Sequence, residues 1–93
     1  MDSHRLVLLD ADYFLERFEN EIIVYHPTKA TSLYLNDTGA LIWELCDGKK
    51  SIADIIAVLA EIYPETKDQI ARDVPALISQ LVSAGIAVLG DEV

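Results

Sequence analysis

The stretch LNDTGALIWELCDG, residues 35–48, contains a strand end, a helix start and a helix stop at fixed spacing. Asn36 or Asp37 can cap a helix, because the side-chain oxygen of either residue accepts a hydrogen bond from a free N–H group in the first turn. The helix is predicted to run to about Cys46. Asp47-Gly48 then ends it, since glycine readily adopts the left-handed conformation that follows many helices. Its largely apolar surface predicts a central position in the fold.

Upstream of this stretch the sequence is typical of β-strands. Tyr13–Phe18 alternates aromatic and charged residues, Glu21–His26 is β-branched and aromatic, and Thr31–Leu35 is a third short strand. Glu19-Asn20 is a turn signal between the first two strands, and Pro27 ends the second. The short links favour an antiparallel meander. The last strand of such a meander has one unpaired edge unless another element covers it.

Downstream, two further helices are predicted. Ser51 and Asp54 have the spacing of a capping box, and Pro64 stops the helix that they open. Thr66 and Gln69 have the same spacing and predict the start of a third helix, which Gly85 closes. The apolar face of the second helix holds Ile52, Ile55, Ile56, Leu59 and Tyr63, and that of the third holds Ile70, Val74, Leu77, Ile78 and Leu81.

Pro75 interrupts the third helical pattern from inside. Proline removes one backbone hydrogen bond and clashes with the carbonyl four residues back, at a cost of about 3 kcal/mol in a regular helix. A kink or break is therefore expected near residues 72–75. Beyond the helix, Ile86–Leu89 is predicted to form a short extended piece, and Gly90–Val93 a loose tail.

The element order is β-β-β-α-α-α over a single domain, residues 1–93. The predicted fold class is α+β. It is winged-helix-like, with a three-stranded antiparallel meander placed before the three helices rather than after them.

The charge balance argues against nucleic acid as a partner. Seven lysine and arginine residues face sixteen aspartate and glutamate residues, giving a net charge of −9. Nucleic-acid binding needs clustered basic residues to neutralise phosphates. Here they are scattered: Arg5, Arg17, Lys29, Lys49, Lys50, Lys67 and Arg72. The third helix offers only Lys67 and Arg72, against Asp68 and Asp73.

The cellular location is predicted to be cytoplasmic. No stretch approaches the roughly 18–20 apolar residues of a membrane span, and the N-terminus does not have the pattern of a signal peptide. Cys46 is the sole cysteine, so it forms no internal disulfide, which suits a reducing compartment. Its apolar neighbours predict a buried structural thiol rather than a nucleophile.

The chain lacks the residue sets that catalysis requires. His4 and His26 lie far apart, and neither has a metal-ligand spacing with Cys46. There is no glycine-rich phosphate loop. We therefore expect neither an enzyme nor a bound metal or cofactor.

Four segments together resemble the PqqD family, named after pyrroloquinoline quinone biosynthesis. They are the block 35–48, the capped helix start Ser51–Ile55, the pair Asp73-Val74, and Leu81 to Gly85. The resemblance covers roughly residues 20–89. The first block is its most specific part, and Pro75 departs from the pattern.

The resemblance implies a protein that binds the N-terminal leader of a ribosomally made precursor peptide and presents the core to an enzyme. The favoured enzyme is the leader-cleaving protease of a lasso-peptide pathway, and the alternative is a radical SAM maturase. The leader would add as a strand beside the third predicted strand, against the third helix. The candidate contacts are Thr31, Ser32, Leu33, Tyr34 and Leu35 on the strand, and Gln69, Ile70, Asp73, Val74 and Leu77 on the helix.

Two interpretations from other classes stay open on the residues alone. One is a winged-helix transcription factor or anti-regulator, which the acidic third helix disfavours. The other is a structural subunit that dimerises through its free sheet edge.

Overall fold

A computed structural model describes residues 4–92 of the chain. Its elements, in chain order, are β1 Arg5–Leu9, β2 Phe14–Phe18, β3 Glu21–Tyr25, β4 Ser32–Leu35, α1 Asp37–Leu45, α2 Ile52–Ile62, a 3₁₀ turn Pro64–Thr66, α3 Lys67–Ser83 and β5 Ala87–Glu92. The predicted class is confirmed: a three-stranded antiparallel sheet precedes three helices. The prediction was incomplete, because a second sheet is also present.

The three-stranded sheet has the order β2-β3-β4. Both pairs are antiparallel, with Val24 opposite Leu15 on one side and opposite Leu33 on the other. The β3–β4 turn is held by His26, whose Nδ1 accepts hydrogen bonds from the backbone N–H groups of Thr28 and Lys29, both at 3.1 Å. The turn therefore fixes the position at which β4 begins.

The second sheet is a two-stranded antiparallel ribbon of β1 and β5. The predicted loose tail is wrong for Gly90 to Glu92, because these residues belong to β5, and the Gly90 carbonyl accepts a hydrogen bond from Arg5 Nε at 2.7 Å. Val93 lies outside the described residues. Leu6 also forms a bridge with Ser51, which ties the ribbon to the start of α2.

Two of the three predicted helix caps are confirmed. The Asn36 side chain accepts a 2.7 Å hydrogen bond from the Gly39 N–H, and Ser51 and Asp54 form a complete capping box. The capping box predicted at Thr66 is wrong, because the Thr66 hydroxyl donates instead to the carbonyl of Tyr63, within the 3₁₀ turn.

The predicted break at Pro75 is wrong, since α3 is continuous from Lys67 to Ser83. The carbonyl that loses its donor to Pro75 is that of Ala71. Ala71 is exposed, so water can replace the missing hydrogen bond. Gly85 closes the helix with φ +77°, as predicted.

The core lies between the three helices, the ribbon and the inner face of the three-stranded sheet. Its fully buried side chains are Val7, Val24, Ile42, Ile52, Ile55, Leu59, Val74, Ile78, Leu81 and Ile86. Cys46 is also buried and donates to the Ile42 carbonyl at 3.1 Å. Burial, with a smaller contribution from Asp47, raises the pKa of this thiol to about 12, so it stays protonated at neutral pH. Cys46 is thus a structural thiol.

None of the helices in residues 4–92 is long and apolar enough to cross a bilayer.

Candidate functional site

The open edge of β4 is the main feature of the candidate site. Within residues 4–92, β4 pairs with β3 and with no other strand. The His26 N–H donates to the Thr31 carbonyl at 3.3 Å, so these two residues form a hydrogen-bonded pair. Hydrogen-bonded and non-hydrogen-bonded pairs alternate along an antiparallel ladder. The N–H and C=O groups of Ser32 and Tyr34 therefore point away from β3, towards the open edge.

A hollow of about 300 Å³ lies between the end of β4 and α3. Helix α1 begins directly after β4, and the Asn36 cap holds its first turn against the strand. A Cβ on Gly39 would lie 3.3 Å from the Leu35 Cβ, so the absence of a side chain permits this close approach. The hollow is lined by Tyr34, Leu35, Asn36, Thr38, Gly39, Ile42, Asp73, Ala76, Leu77 and Gln80.

A second hollow of about 260 Å³ adjoins the first. Thr38 and Asp73 line both hollows, so the two form one groove along α3. The far end of the second hollow is more apolar and is bordered by Leu41, Tyr63 and Ile70. The groove thus has a polar section around Asp73 and a more apolar end at Leu41, Tyr63 and Ile70.

The polar section is organised by Asp73. Gln69 Nε2 donates to both carboxylate oxygens of Asp73, at 3.0 and 3.1 Å, and Arg72 donates to Gln69 Oε1 at 3.2 Å. The three side chains form a chain along the accessible side of α3. Because Gln69 holds the carboxylate in place, Asp73 presents a fixed hydrogen-bond acceptor to the groove.

The structure brings together most of the residues predicted for the site. Tyr34, Leu35, Asp73 and Leu77 line the first hollow, and Gln69 and Ile70 line the second. Thr31, Ser32 and Leu33 lie further along the same edge and border neither hollow.

Val74 needs a correction, because it has no exposed surface and belongs to the core. It supports the groove wall from behind and cannot itself contact a ligand while the core stays packed. Asp73, its neighbour in sequence, faces the groove instead.

Several groove residues were not predicted. Ala76 and Gln80 follow Asp73 by three and seven residues, a helical spacing that could have identified them. Asn36, Thr38, Gly39 and Ile42 line the groove because α1 follows β4 without a connecting loop, which their residue types do not indicate.

No group of three or more His, Cys, Asp or Glu side chains within residues 4–92 is arranged to hold a metal ion.

Residues 21–87 match the family model of the coenzyme PQQ synthesis protein D. The chain belongs to the PqqD family. The resemblance expected from residues 20–89 is thereby confirmed. The match to the PqqD model spans β3, β4, all three helices and the start of β5, and so includes every element of the groove.

Curated PqqD relatives include the PqqA binding protein of Klebsiella pneumoniae (strain 342), which is 45% identical over 47 residues. The alignment covers 50% of this chain and 48% of that protein. The chain therefore spans about half the length of the curated relatives it matches.

Two solved structures share the fold. TbiB1 in complex with the TbiA(beta) leader peptide superimposes with a TM-score of 0.69 at 18% identity, over 86% of this chain and 93% of that one. Lasso peptide synthetase B1 complexed with the leader peptide gives a TM-score of 0.71 at 24% identity, over 88% and 96%. At these identities the likeness establishes the fold.

Proposed function

We propose that this chain binds the leader of a ribosomally made precursor peptide and presents it to a processing enzyme, without catalysing a reaction itself. The observation that carries the proposal is the open edge of β4 beside the α3 groove. A peptide of extended conformation can pair with the outward N–H and C=O groups of Ser32 and Tyr34. The groove provides the side-chain pockets that such pairing needs for specificity.

Backbone pairing and pocket filling have separate roles in this proposal. Hydrogen bonds to the β4 backbone are available to almost any leader sequence, so they supply affinity without strong selection. Side chains of an added strand alternate between the two faces of the sheet. Every second leader residue would therefore enter the groove, where Asp73 can accept a hydrogen bond and Leu77 offers apolar contact.

The favoured partner enzyme is a lasso-peptide leader protease, acting with this chain in the cytoplasm. The fold shared with lasso peptide synthetase B1 supports this choice. A radical SAM maturase is the alternative, supported by the family match and by the relative named as a PqqA binding protein. A regulatory role through DNA is less well supported, because Arg72 on α3 is engaged by Gln69 and flanked by Asp73.

A nitrogen-15 NMR titration with the leader of the precursor encoded beside this chain would test the proposal. We expect shift changes concentrated on residues 30–36 and 69–80, with an affinity in the micromolar to nanomolar range, since ordering a flexible leader offsets part of the contact energy. A leader of the same composition in scrambled order is the control. An unchanged spectrum at millimolar leader, with the protein folded, would contradict the proposal. Gel filtration at several concentrations would show whether the edge dimerises instead.

A further inference from the structure

The face of the three-stranded sheet that points away from the helices is rich in exposed aromatic residues. Cross-strand partners lie on the same face of a sheet, so the register defines the residues of this outer face: Phe14, Glu16, Phe18, Glu21, Ile23, Tyr25, Ser32 and Tyr34. Phe14 and Tyr25 are in ring contact, with centroids 6.2 Å apart. Phe14 is 49%, Phe18 54% and Tyr34 65% exposed.

This distribution departs from that of an ordinary half-buried sheet. An antiparallel sheet with one face on the core normally has polar residues on the other. Here Leu15, Val24 and Leu33 on the inner face pack into or against the core. The outer face nevertheless carries four aromatic side chains and one isoleucine. Within residues 4–92 no element packs over them. Exposed aromatic side chains concentrated on one face in this way indicate an interaction surface.

We propose that the outer face is the docking surface for the enzyme that receives the leader, and that the bound leader strand extends this surface. The inference rests on the proposed function. Leader residues in the pairing positions of Ser32 and Tyr34 would project onto the outer face beside them, because cross-strand neighbours share a face. The enzyme would then contact the sheet and the leader together.

The negative charge of the outer face favours a basic binding partner over a second copy of this chain. The outer-face positions carry Glu16 and Glu21 and no lysine or arginine, and Glu19 lies in the adjoining turn. The Glu16 carboxylate is oriented by the Tyr25 hydroxyl, which donates to it at 2.9 Å; this hydrogen bond raises the pKa of Tyr25. A second copy of a chain with net charge −9 would place like charges in contact. A partner surface that complements the outer face has apolar residues at its centre and lysine or arginine residues around them.

Coupling between the two ligands follows from the shared surface. If the leader adds contacts for the enzyme, the leader raises the affinity for the enzyme, and the enzyme raises the affinity for the leader by the same factor. The enzyme would therefore bind the leader-bound protein more tightly than the free protein.

The test compares the double variant Phe14→Gln/Phe18→Gln with Val88→Gln. Val88 is a matched control, because it is 59% exposed and lies on the separate β1–β5 ribbon. Affinity for a fluorescent leader is measured by polarisation, and affinity for the purified enzyme encoded beside the precursor by calorimetry, with and without leader. We expect the double variant to bind leader within twofold of the wild type and to lose at least tenfold in enzyme affinity. The Val88 variant should match the wild type in both.

Three outcomes would overturn the inference while the leader-binding function stands. These are a double variant that retains enzyme affinity, a wild-type protein that binds leader but not the enzyme, and a wild-type dimer that dissociates on the Phe14 and Phe18 substitutions. Equal enzyme affinity with and without leader would overturn the composite surface. Failure of the wild type to bind leader would instead refute the proposed function itself.

Discussion

Replacing Tyr34 by proline is expected to weaken leader binding by about ten- to a hundredfold. The Tyr34 N–H points towards the open edge of β4, so proline removes a donor that the leader needs and leaves the β3–β4 ladder intact. A carbonyl left unpaired in a buried contact costs about 1–3 kcal/mol, which corresponds to this loss of affinity. Titration calorimetry with the leader peptide measures it.

Tyr34→Ala is the matched control, because it removes the same aromatic side chain and keeps the N–H. We expect it to bind more weakly than the wild type but clearly more tightly than the proline variant. Thermal unfolding of both variants checks that the sheet is intact. Equal affinities for the alanine and proline variants would show that backbone pairing at this edge does not hold the leader.

Ile55→Ala is expected to reduce the free energy of unfolding by about 2–5 kcal/mol. Ile55 on α2 is fully buried in the core, and its truncation leaves a cavity that neighbouring side chains can fill only in part. In a chain of this size such a loss lowers the melting temperature by at least about 10 °C. Chemical and thermal denaturation provide the measurement.

The same helix supplies the comparison for this prediction. Ile62 is 56% exposed near the end of α2, so Ile62→Ala makes the same chemical change without a cavity. We expect it to shift stability by no more than about 0.5 kcal/mol. Similar losses for the two variants would mean that α2 does not pack as described.

The fold could be predicted where local chemistry decides the structure. Asn36 and Ser51 carry side chains that cap a helix on their own, and Gly48 and Gly85 have the positive φ that the sequence indicated. The meander followed from the short links, from the turn signal at Glu19-Asn20 and from Pro27, which ends the second strand. These features depend on residues within a few positions of one another.

Features that depend on distant contacts could not be predicted in this way. Strand β1 pairs with β5 at the opposite end of the chain, as in the pair Leu8 and Val88, and no local signal joins them. The capping box predicted at Thr66 is absent for a related reason. Pro64 starts a 3₁₀ turn, and in this turn the Thr66 hydroxyl donates to the Tyr63 carbonyl instead of capping α3. Pro75 is tolerated because the Ala71 carbonyl, which loses its hydrogen-bond donor, belongs to an exposed residue that water can reach.

The candidate site shows the same division. The open β4 edge follows from strand order, whereas the α3 contacts Asp73 and Leu77 were expected only from the resemblance to the PqqD family. Val74 was misplaced because two adjacent helical residues point in directions about 100° apart. The exposure of the outer-face aromatics could not be predicted from the sequence, because an alternating strand can bury either face, and only packing shows which one is covered.

Amide hydrogen exchange along β4, followed by NMR with and without saturating leader, is the decisive measurement for strand addition of the leader at this edge. The Leu33 and Leu35 amides are bonded to β3 and should be protected in both states, whereas the Ser32 and Tyr34 amides face the open edge and should exchange quickly in the free protein. We expect bound leader to slow exchange at Ser32 and Tyr34 by at least about tenfold, since pairing removes these N–H groups from water. Bound leader that leaves both amides in fast exchange would contradict strand addition at β4.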